Sequence, residues 1–218
     1  MFRLLQHHKN TSSYNMAIDE ALLRFCQLNP VLRVYGWLEP AVSIGYFQSI
    51  QVVPVQRPYV RRLTGGGLVD HAHDFTYTLI FPRQHPLAQK GTSESYRLIH
   101  QTIQTALENY GLKVQLVPIP SEKNSPNCFQ KPVKFDLVDK KGKKIAGAAQ
   151  RRTQMAVLHQ GSLLLEPSAH NFLPYFLAEM EKLLEETLKA DDLTADEFLL
   201  AKQLEIERYS LTSWNAAR

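Results

Sequence analysis

Short runs of β-branched and aromatic residues dominate the middle of this 218-residue chain, and they limit its fold more than any other feature. Proline, glycine or polar residues separate these runs, as is typical of strands. Helical periodicity is found instead at residues 16–25, after capping side chains at residues 11–15, at residues 93–110 and from Ala169 onward. Strands and helices do not alternate regularly, so the pattern favours an α+β fold, with a mixed sheet flanked by helices, over repeated βαβ units. The predicted strands are residues 2–5, 31–37, 41–46, 75–81, 114–117, 133–138, 144–150 and 155–165.

Composition is that of a globular protein with a substantial core. Hydrophobic residues make up 44% of the chain and charged residues 21%, which argues against disorder. The net charge of +4 is spread along the sequence, whereas a nucleic-acid site would need a concentrated basic stripe interleaved with aromatics. The densest basic run, Lys140–Lys144, contains Gly142 and indicates a hairpin turn. We therefore expect no nucleic-acid partner, while a weakly basic face would suit an acidic protein.

The two cysteines are too few for a disulfide framework and suggest a reducing compartment. Neither a signal peptide nor an apolar segment of membrane-spanning length is predicted, so we expect a cytoplasmic protein with no membrane partner. The length suits one domain. We expect residues 1–165 to form it and residues 166–218 to add helices packed on the same domain.

Three consecutive glycines, Gly65–Gly67, follow Arg61 and Arg62 between two predicted strands. Glycine allows a close approach of the backbone to a ligand and permits positive φ. Exposed N–H groups in such a loop could hold a carbonyl or phosphate oxygen. On its own, the triplet is equally compatible with a ligand-free hairpin. It matches neither a Walker A loop nor a dinucleotide-binding fingerprint.

Lys144 begins a predicted strand of very small residues that includes Ala146, Gly147 and Ala148. Small side chains leave room for a long apolar chain beside the backbone, and the ammonium could hold an acyl carbonyl or a phosphate as a point charge. Taken alone, a lysine at this place is more often a solvated residue at the end of a hairpin.

Cys128 lies in a loop bounded by Pro126 and Pro132, where a thiol is easier to reach than in a core. A buried, inert thiol is nevertheless the commoner state of a free cysteine. Cys26 falls within an apolar helical pattern, and we expect it to be inert. No cysteine or histidine pair has a convincing zinc-ligand spacing, so no metal site is predicted.

In combination, these segments resemble the lipoate–protein ligase and lipoyl/octanoyl transferase family. Several motifs in the same order are more specific than any one of them. The resemblance implies the biotin/lipoate protein ligase catalytic-domain fold, an α+β fold with a mixed, largely antiparallel sheet flanked by helices. The matching segments are Asn15–Leu22, Pro40–Gln48, Arg61–His71, Lys144–Gln150 and His159–Leu163.

The family contains two chemistries. Ligases activate a free acid with ATP and magnesium through an acyl-adenylate, whereas transferases take the acyl group from a carrier-protein thioester through an enzyme cysteine. The segment Cys128–Val138 resembles the cysteine-bearing segment of the octanoyltransferase branch. Asp74–Tyr77 and Phe135–Asp136 depart from the usual ligase pattern, and the tail after Leu165 is too short for the accessory domain that many ligases carry. Gly67 is more ligase-like, because the transferase branch usually has arginine there.

The resemblance implies an octanoyl or lipoyl transferase in which Cys128 forms an acyl-enzyme and Lys144 holds the carbonyl. Backbone N–H groups near Gly147 and Ala148 would hold the oxyanion, and the acyl tail would run along the glycine triplet, Ala146 and Gly147. The predicted substrate-binding residues are Arg62, Gly65, Gly66, Gly67, His71, Ala146, Gly147, Ala148 and His159.

Acyl carrier protein would be the donor and a lipoyl domain, of H protein or of an E2 subunit, the acceptor, with no cofactor required. The first alternative is a ligase that uses ATP and Mg²⁺ and acts through a lipoyl-adenylate. The second is a non-catalytic paralogue that only binds lipoyl domains. Biotinylation is less favoured, because the Gly-Arg-Gly-Arg-type loop of biotin ligases is absent.

Overall fold

A mixed sheet of eight strands organises the part of the chain that our computed structural model describes, residues 2–26, 29–118, 132–165 and 169–218. A second sheet of three short strands is also found among these residues. In chain order the elements are β1 (Phe2–Asn10), α1 (Ser12–Phe25), β2 (Val31–Trp37), β3 (Val42–Ile44), a 3₁₀ turn (Ile50–Val52), β4 (Tyr59–Arg61), β5 (Val69–Asp70), β6 (Asp74–Pro82), α2 (Pro86–Gln89), α3 (Gly91–Asn109), β7 (Gln115–Leu116), β8 (Leu137–Val138), β9 (Lys144–Arg152), β10 (Ala156–Leu164), α4 (Ala169–Leu184), β11 (Leu188–Ala190), α5 (Ala195–Leu204), a π-helical turn (Glu205–Tyr209) and α6 (Thr212–Asn215).

The large sheet has the strand order β11-β1-β2-β6-β10-β9-β8-β7. Strand β1 pairs in parallel with β2 and β11, and the other neighbours pair antiparallel. The small sheet has the order β4-β3-β5, with β3 parallel to β4 and antiparallel to β5. This arrangement confirms the predicted α+β class with a mixed, largely antiparallel sheet.

Helices cover both faces of the large sheet, which explains why its central strands β6 and β10 are almost wholly buried. Even the polar residues of these two strands are buried: Thr76, Thr78, His159, Gln160 and Ser162. Helices α3 and α4 pack on one face around Phe75, Ile103 and Phe176, and helices α1 and α5 pack on the other around Ile18 and Leu158.

The segment after residue 165 is not purely helical, and in this respect the prediction was wrong. Between α4 and α5, Leu188–Ala190 forms β11 and pairs with Phe2–Leu4 at the edge of the large sheet. Three residues are too few to show a periodicity of their own, and their partner lies at the other end of the chain. The tail therefore completes the sheet as well as covering it.

The predicted strand at residues 133–138 is reduced to Leu137–Val138. Phe135 adopts a φ of 72°, and the Asp136 N–H donates to the Val133 carbonyl at 3.0 Å, so the chain makes a turn immediately before the strand. This turn directs the Asp136 side chain into the interior, where it is fully buried.

The other predicted elements appear at nearly the predicted places. Thr11 caps α1 by accepting from the Tyr14 N–H, Gly111 follows the end of α3 with a φ of 100°, and Gly142 forms the expected hairpin turn with a φ of 78°. In the described segments, no helix has the length and apolar character that crossing a membrane requires.

Candidate active site

A pocket of about 440 Å³, its open mouth included, is lined by residues of both sheets and of α1. Five of the predicted site residues line it together: Arg62, His71, Lys144, Gly147 and Ala148. Its other described lining residues are Met16, Tyr35, Trp37, Ser43, Val69, Thr76, Ala149, Gln160, Gly161 and Ser162.

The Lys144 ammonium is buried in the wall of this pocket, with only 2% of the residue exposed. Its Nζ lies 2.7 Å from Asp136 Oδ2, whose carboxylate also accepts from the Tyr96 hydroxyl at 2.5 Å and the Val133 N–H at 2.7 Å. Burial raises the pKa of Asp136 above its ordinary value, although the ammonium opposes this shift. The structure thus excludes the simpler interpretation of Lys144 as a solvated residue at a hairpin end.

Gly147 provides the space that Lys144 occupies. A Cβ at this position would overlap the Lys144 Cε and Nζ atoms and would lie 3.2 Å from Asp136 Oδ1. The small-residue strand therefore has a defined purpose here: glycine allows the lysine side chain to fold back over its own strand.

The backbone amide of Ala148 is already engaged within the protein. It donates to the Tyr96 hydroxyl at 2.9 Å, and burial holds the pKa of this tyrosine well above its usual range. The amide is therefore not free to hold an oxyanion, which corrects the prediction for Ala148. Lys144 and Gly147, the other residues of this strand that were predicted to act on the carbonyl, both line the pocket.

Arg62 lines the pocket and also holds the glycine loop in place. Its Nη2 donates to the carbonyls of Gly65 at 3.0 Å and Gly67 at 2.8 Å, and its Nη1 donates to the Ser43 carbonyl at 2.8 Å. Gly66 has a φ of 83° and is exposed. The glycine triplet is not among the described residues that line the pocket, and the course of an acyl tail along the three glycines stays a prediction.

His71 is held rigidly inside the pocket. Its ring stacks on Trp37 with centroids 3.8 Å apart and planes 16° apart. Its Nδ1 lies 2.7 Å from Asp74 Oδ2, and its Nε2 lies 2.6 Å from Ser43 Oγ. Sequence reasoning selected His71 but missed both partners, although an aspartate at the start of an apolar strand was a signal for Asp74.

Two predicted site residues lie behind the pocket wall. Ala146 is packed in the core between its strand partners Leu137 and Leu163. His159 is fully buried, with Nε2 2.9 Å from the Tyr77 hydroxyl. Burial lowers the pKa of His159 to about 3, so its ring is neutral. Neither residue is among the described lining of the pocket, and both support the wall that β9 and β10 form.

Cys128, the predicted nucleophile, lies outside the described residues. Asp136 and Tyr96 were not predicted as site residues. Asp136 pairs with Lys144, and the Tyr96 hydroxyl accepts from the Ala148 N–H of the same strand. Among the residues that the structure describes, no group of three or more histidine, cysteine, aspartate or glutamate side chains is arranged to hold a metal ion.

Comparisons with known proteins agree with this architecture. Octanoyltransferase LipM of Macrococcus caseolyticus is 34% identical over 220 residues, covering 89% of this chain and 79% of that protein. Octanoyltransferase LipM of Bacillus subtilis is 33% identical, covering 84% and 72%. Protein Ta0514 of T. acidophilum, solved with bound lipoic acid, superposes with a TM-score of 0.83 at 23% identity over 99% of this chain and 98% of its own. Lipoate-protein ligase A, solved with ATP, gives a TM-score of 0.80 at 24% identity over 99% and 97%.

At these identities the two solved structures establish the fold alone. The family model described as the lipoyl protein ligase A/B catalytic domain matches residues 11–192. The chain belongs to the lipoyl protein ligase A/B catalytic domain family.

Proposed function

We propose that this chain transfers an octanoyl group to a lysine of a lipoyl-carrier protein through a thioester on Cys128. The relatives that are named octanoyltransferase align over most of its length, which favours octanoyl over lipoyl as the transferred group. The acceptor is a lipoyl domain, of an H protein or of an E2 subunit, and the donor is an octanoyl thioester of acyl carrier protein. No cofactor is required for this reaction.

The observation that carries the proposal is the buried Lys144 ammonium. It lines the pocket beside Gly147. An ion pair of 2.7 Å between Lys144 Nζ and Asp136 Oδ2 fixes its position. A preorganised cation buried in a pocket wall stabilises a developing oxyanion more strongly than it would in bulk water, and one such donor typically contributes about 100- to 1,000-fold in rate.

The reaction has two half-reactions. The Cys128 thiolate adds to the donor carbonyl, a C–S bond to the enzyme forms, and the carrier-protein thiolate leaves. The amine of the acceptor lysine then adds to the same carbonyl carbon, a C–N bond forms, and Cys128 leaves with the electron pair of the C–S bond. In both steps the Lys144 ammonium faces the carbonyl oxygen and balances its negative charge.

A ligase is the competing proposal, supported by Gly67, which is typical of the ligase branch. Such an enzyme would consume ATP with free octanoate or lipoate, and Cys128 would be dispensable. The two proposals therefore differ in the acyl donor, a carrier-protein thioester or a free acid with ATP. They also differ in the expected effect of replacing Cys128.

Intact-mass spectrometry of the enzyme mixed with octanoyl-carrier protein tests the proposal. We expect one added octanoyl group, lost in Cys128→Ala and retained in the matched variant Cys26→Ala. Cys26 is a suitable control because it is 3% exposed and burial raises the pKa of its thiol to about 12. Full transfer activity in Cys128→Ala, or strict ATP dependence with a free acid, would refute the transferase mechanism. Binding of lipoyl domain with neither activity would indicate the non-catalytic alternative.

A further inference from the structure

His100 is a fully buried histidine of helix α3 that the two half-reactions above do not use. Its Nδ1 donates to the Phe135 carbonyl at 2.7 Å, whereas its Nε2 is buried and has no hydrogen-bond partner in the part of the chain described. Because Nδ1 carries the proton of this bond, Nε2 is left as a bare acceptor. Burial holds the pKa of His100 well below its ordinary value, so the ring is neutral.

The unsatisfied Nε2 of His100 costs stability, because a buried acceptor has lost its hydrogen bond to water. A phenylalanine of similar size would avoid this cost. It could also keep the ring contact with Tyr96, whose centroid lies 4.1 Å from that of His100. What it could not supply is the donor to the Phe135 carbonyl. This hydrogen bond is therefore the feature that distinguishes histidine from an apolar residue here.

Phe135, the residue that His100 contacts, is the strained position of the turn before β8. Its φ of 72° is uncommon for a residue other than glycine, and the Asp136 N–H closes the turn by donating to the Val133 carbonyl. Two hydrogen bonds hold Phe135 in this conformation. Its N–H donates to the Val117 carbonyl at 2.8 Å, and its carbonyl accepts from His100. His100 therefore fixes the peptide group that leads directly into Asp136.

The turn in turn determines where the Asp136 carboxylate points. Its Oδ2 accepts from the Val133 N–H of the same turn at 2.7 Å and lies 2.7 Å from Lys144 Nζ, while its Oδ1 accepts from the Tyr96 hydroxyl. Helix α3 thus holds this segment at two points one helical turn apart, with Tyr96 on the carboxylate and His100 on the backbone. A change in the turn would move the carboxylate and, with it, the Lys144 side chain.

We propose that His100 is a positioning residue for Lys144, acting through the Phe135 carbonyl and the Asp136 carboxylate. The proposal rests on the acyl-transfer function proposed above, in which Lys144 faces the carbonyl oxygen. His100 is not among the described residues that line the pocket, and it transfers no proton. Its role is to keep the Lys144 amine at one place in the pocket wall.

Two substitutions separate the hydrogen bond of His100 from its packing. His100→Phe keeps a ring and loses the donor, while the amide nitrogen of His100→Asn can take the place of Nδ1. Loading of Cys128 from octanoyl-carrier protein is followed in single turnovers at several donor concentrations. In His100→Phe we expect the rate at saturating donor to fall about 10- to 100-fold, the effect of a small misplacement of a catalytic group. The half-saturating donor concentration should stay near the wild-type value, and His100→Asn should restore most of the rate.

Labelling of Lys144 gives a second measurement that needs no catalysis. Reductive methylation with formaldehyde and a borane, quantified by peptide mass spectrometry, reports how often the amine leaves its buried place. In His100→Phe we expect labelling about 5-fold faster or more, the effect of losing one buried hydrogen bond, and in His100→Asn a rate near wild type. His85→Phe is the matched control, because His85 also bonds the backbone, accepting from the Leu87 N–H at the start of α2. It should change neither loading nor labelling.

A Phe135→Gly background tests whether the turn transmits the effect. Glycine adopts a positive φ without strain, so the turn should depend less on its bond to His100. His100→Phe should then slow loading by a smaller factor than it does in the wild-type background.

An equal factor in the two backgrounds, equal losses in His100→Phe and His100→Asn, or unchanged loading and labelling in His100→Phe would each overturn the positioning role. A wild-type enzyme that never loads Cys128 would instead refute the proposed function itself. In that case the labelling of Lys144 would still decide whether His100 positions it.

Discussion

Replacing Gly147 with alanine tests whether the position of Lys144 depends on the missing Cβ. The added methyl group would overlap the end of the lysine side chain, so the ammonium must leave its place beside Asp136 or β9 must shift. Losing one partner of a buried ion pair typically costs about 3–5 kcal/mol. For a chain of this length that corresponds to a decrease in Tm of roughly 6–20 °C. Because the ammonium would no longer face the carbonyl, we also expect Cys128 acylation to slow about 100-fold or more.

The cause can be isolated with a double-mutant cycle read by urea denaturation. In a Lys144→Ala background the space beside Gly147 is vacant, so Gly147→Ala should cost less than about 1 kcal/mol, giving a coupling of about 2 kcal/mol or more. Gly36→Ala is the matched control in another strand. Its Cβ would lie 3.0 Å from the Cγ of the exposed, flexible Lys9 side chain, which can move aside. An equal cost of Gly147→Ala in both backgrounds would show that the clash with Lys144 is not the reason for the glycine.

Three further predictions concern stability. Burial lowers the pKa of His159 from 6.5 to about 3, so the unfolded chain binds the proton first as the pH falls, and stability should decrease below about pH 6.5 by up to about 1.4 kcal/mol per pH unit. His159→Gln should flatten this dependence in urea titrations, and an unchanged slope would contradict it. Arg33→Met should destabilise by about 3–5 kcal/mol, because it leaves the buried Asp19 carboxylate without the cation 2.6 Å away. Adding Asp19→Asn should recover part of that loss in thermal denaturation, and no recovery would argue against the ion pair as the cause. Thr194→Ala removes the capping box with Glu197 at the start of α5 and should cost about 1 kcal/mol, with Thr194→Ser near wild type; equal losses in both would show that the hydroxyl is not responsible.

Most elements of the fold could be predicted because their signals are local. Helix α3 shows a clear apolar period and ends before Gly111, and the strands of the central hairpin are β-branched runs between turn residues. The pairing of β11 with β1 could not be predicted. It joins segments about 186 positions apart, and three residues are too few to show a periodicity of their own.

In the candidate site, too, local sequence signals could be predicted and contacts that depend on tertiary packing could not. Arg62, His71 and Lys144 could be selected because they stand in recognisable segments. The partner Asp136 could not, because it meets Lys144 only after the turn at Phe135 has directed its carboxylate inward, whereas Asp74 had a local signal at the start of its strand. The engagement of Ala148 by Tyr96 likewise depends on how α3 packs on β9, across 52 positions of sequence. Motifs therefore indicated which side chains act, and tertiary packing decided what each of them contacts.

The parallel pair of β1 and β11 has a consequence for how the chain is made. Phe2 aligns with Leu188, so one edge of the first strand lacks its neighbour until synthesis has passed residue 188. Contacts between such distant segments slow folding, and an unpaired strand edge is a site where nascent chains associate with one another. Chaperone dependence during synthesis should therefore fall sharply once residues 188–190 become available to cover that edge.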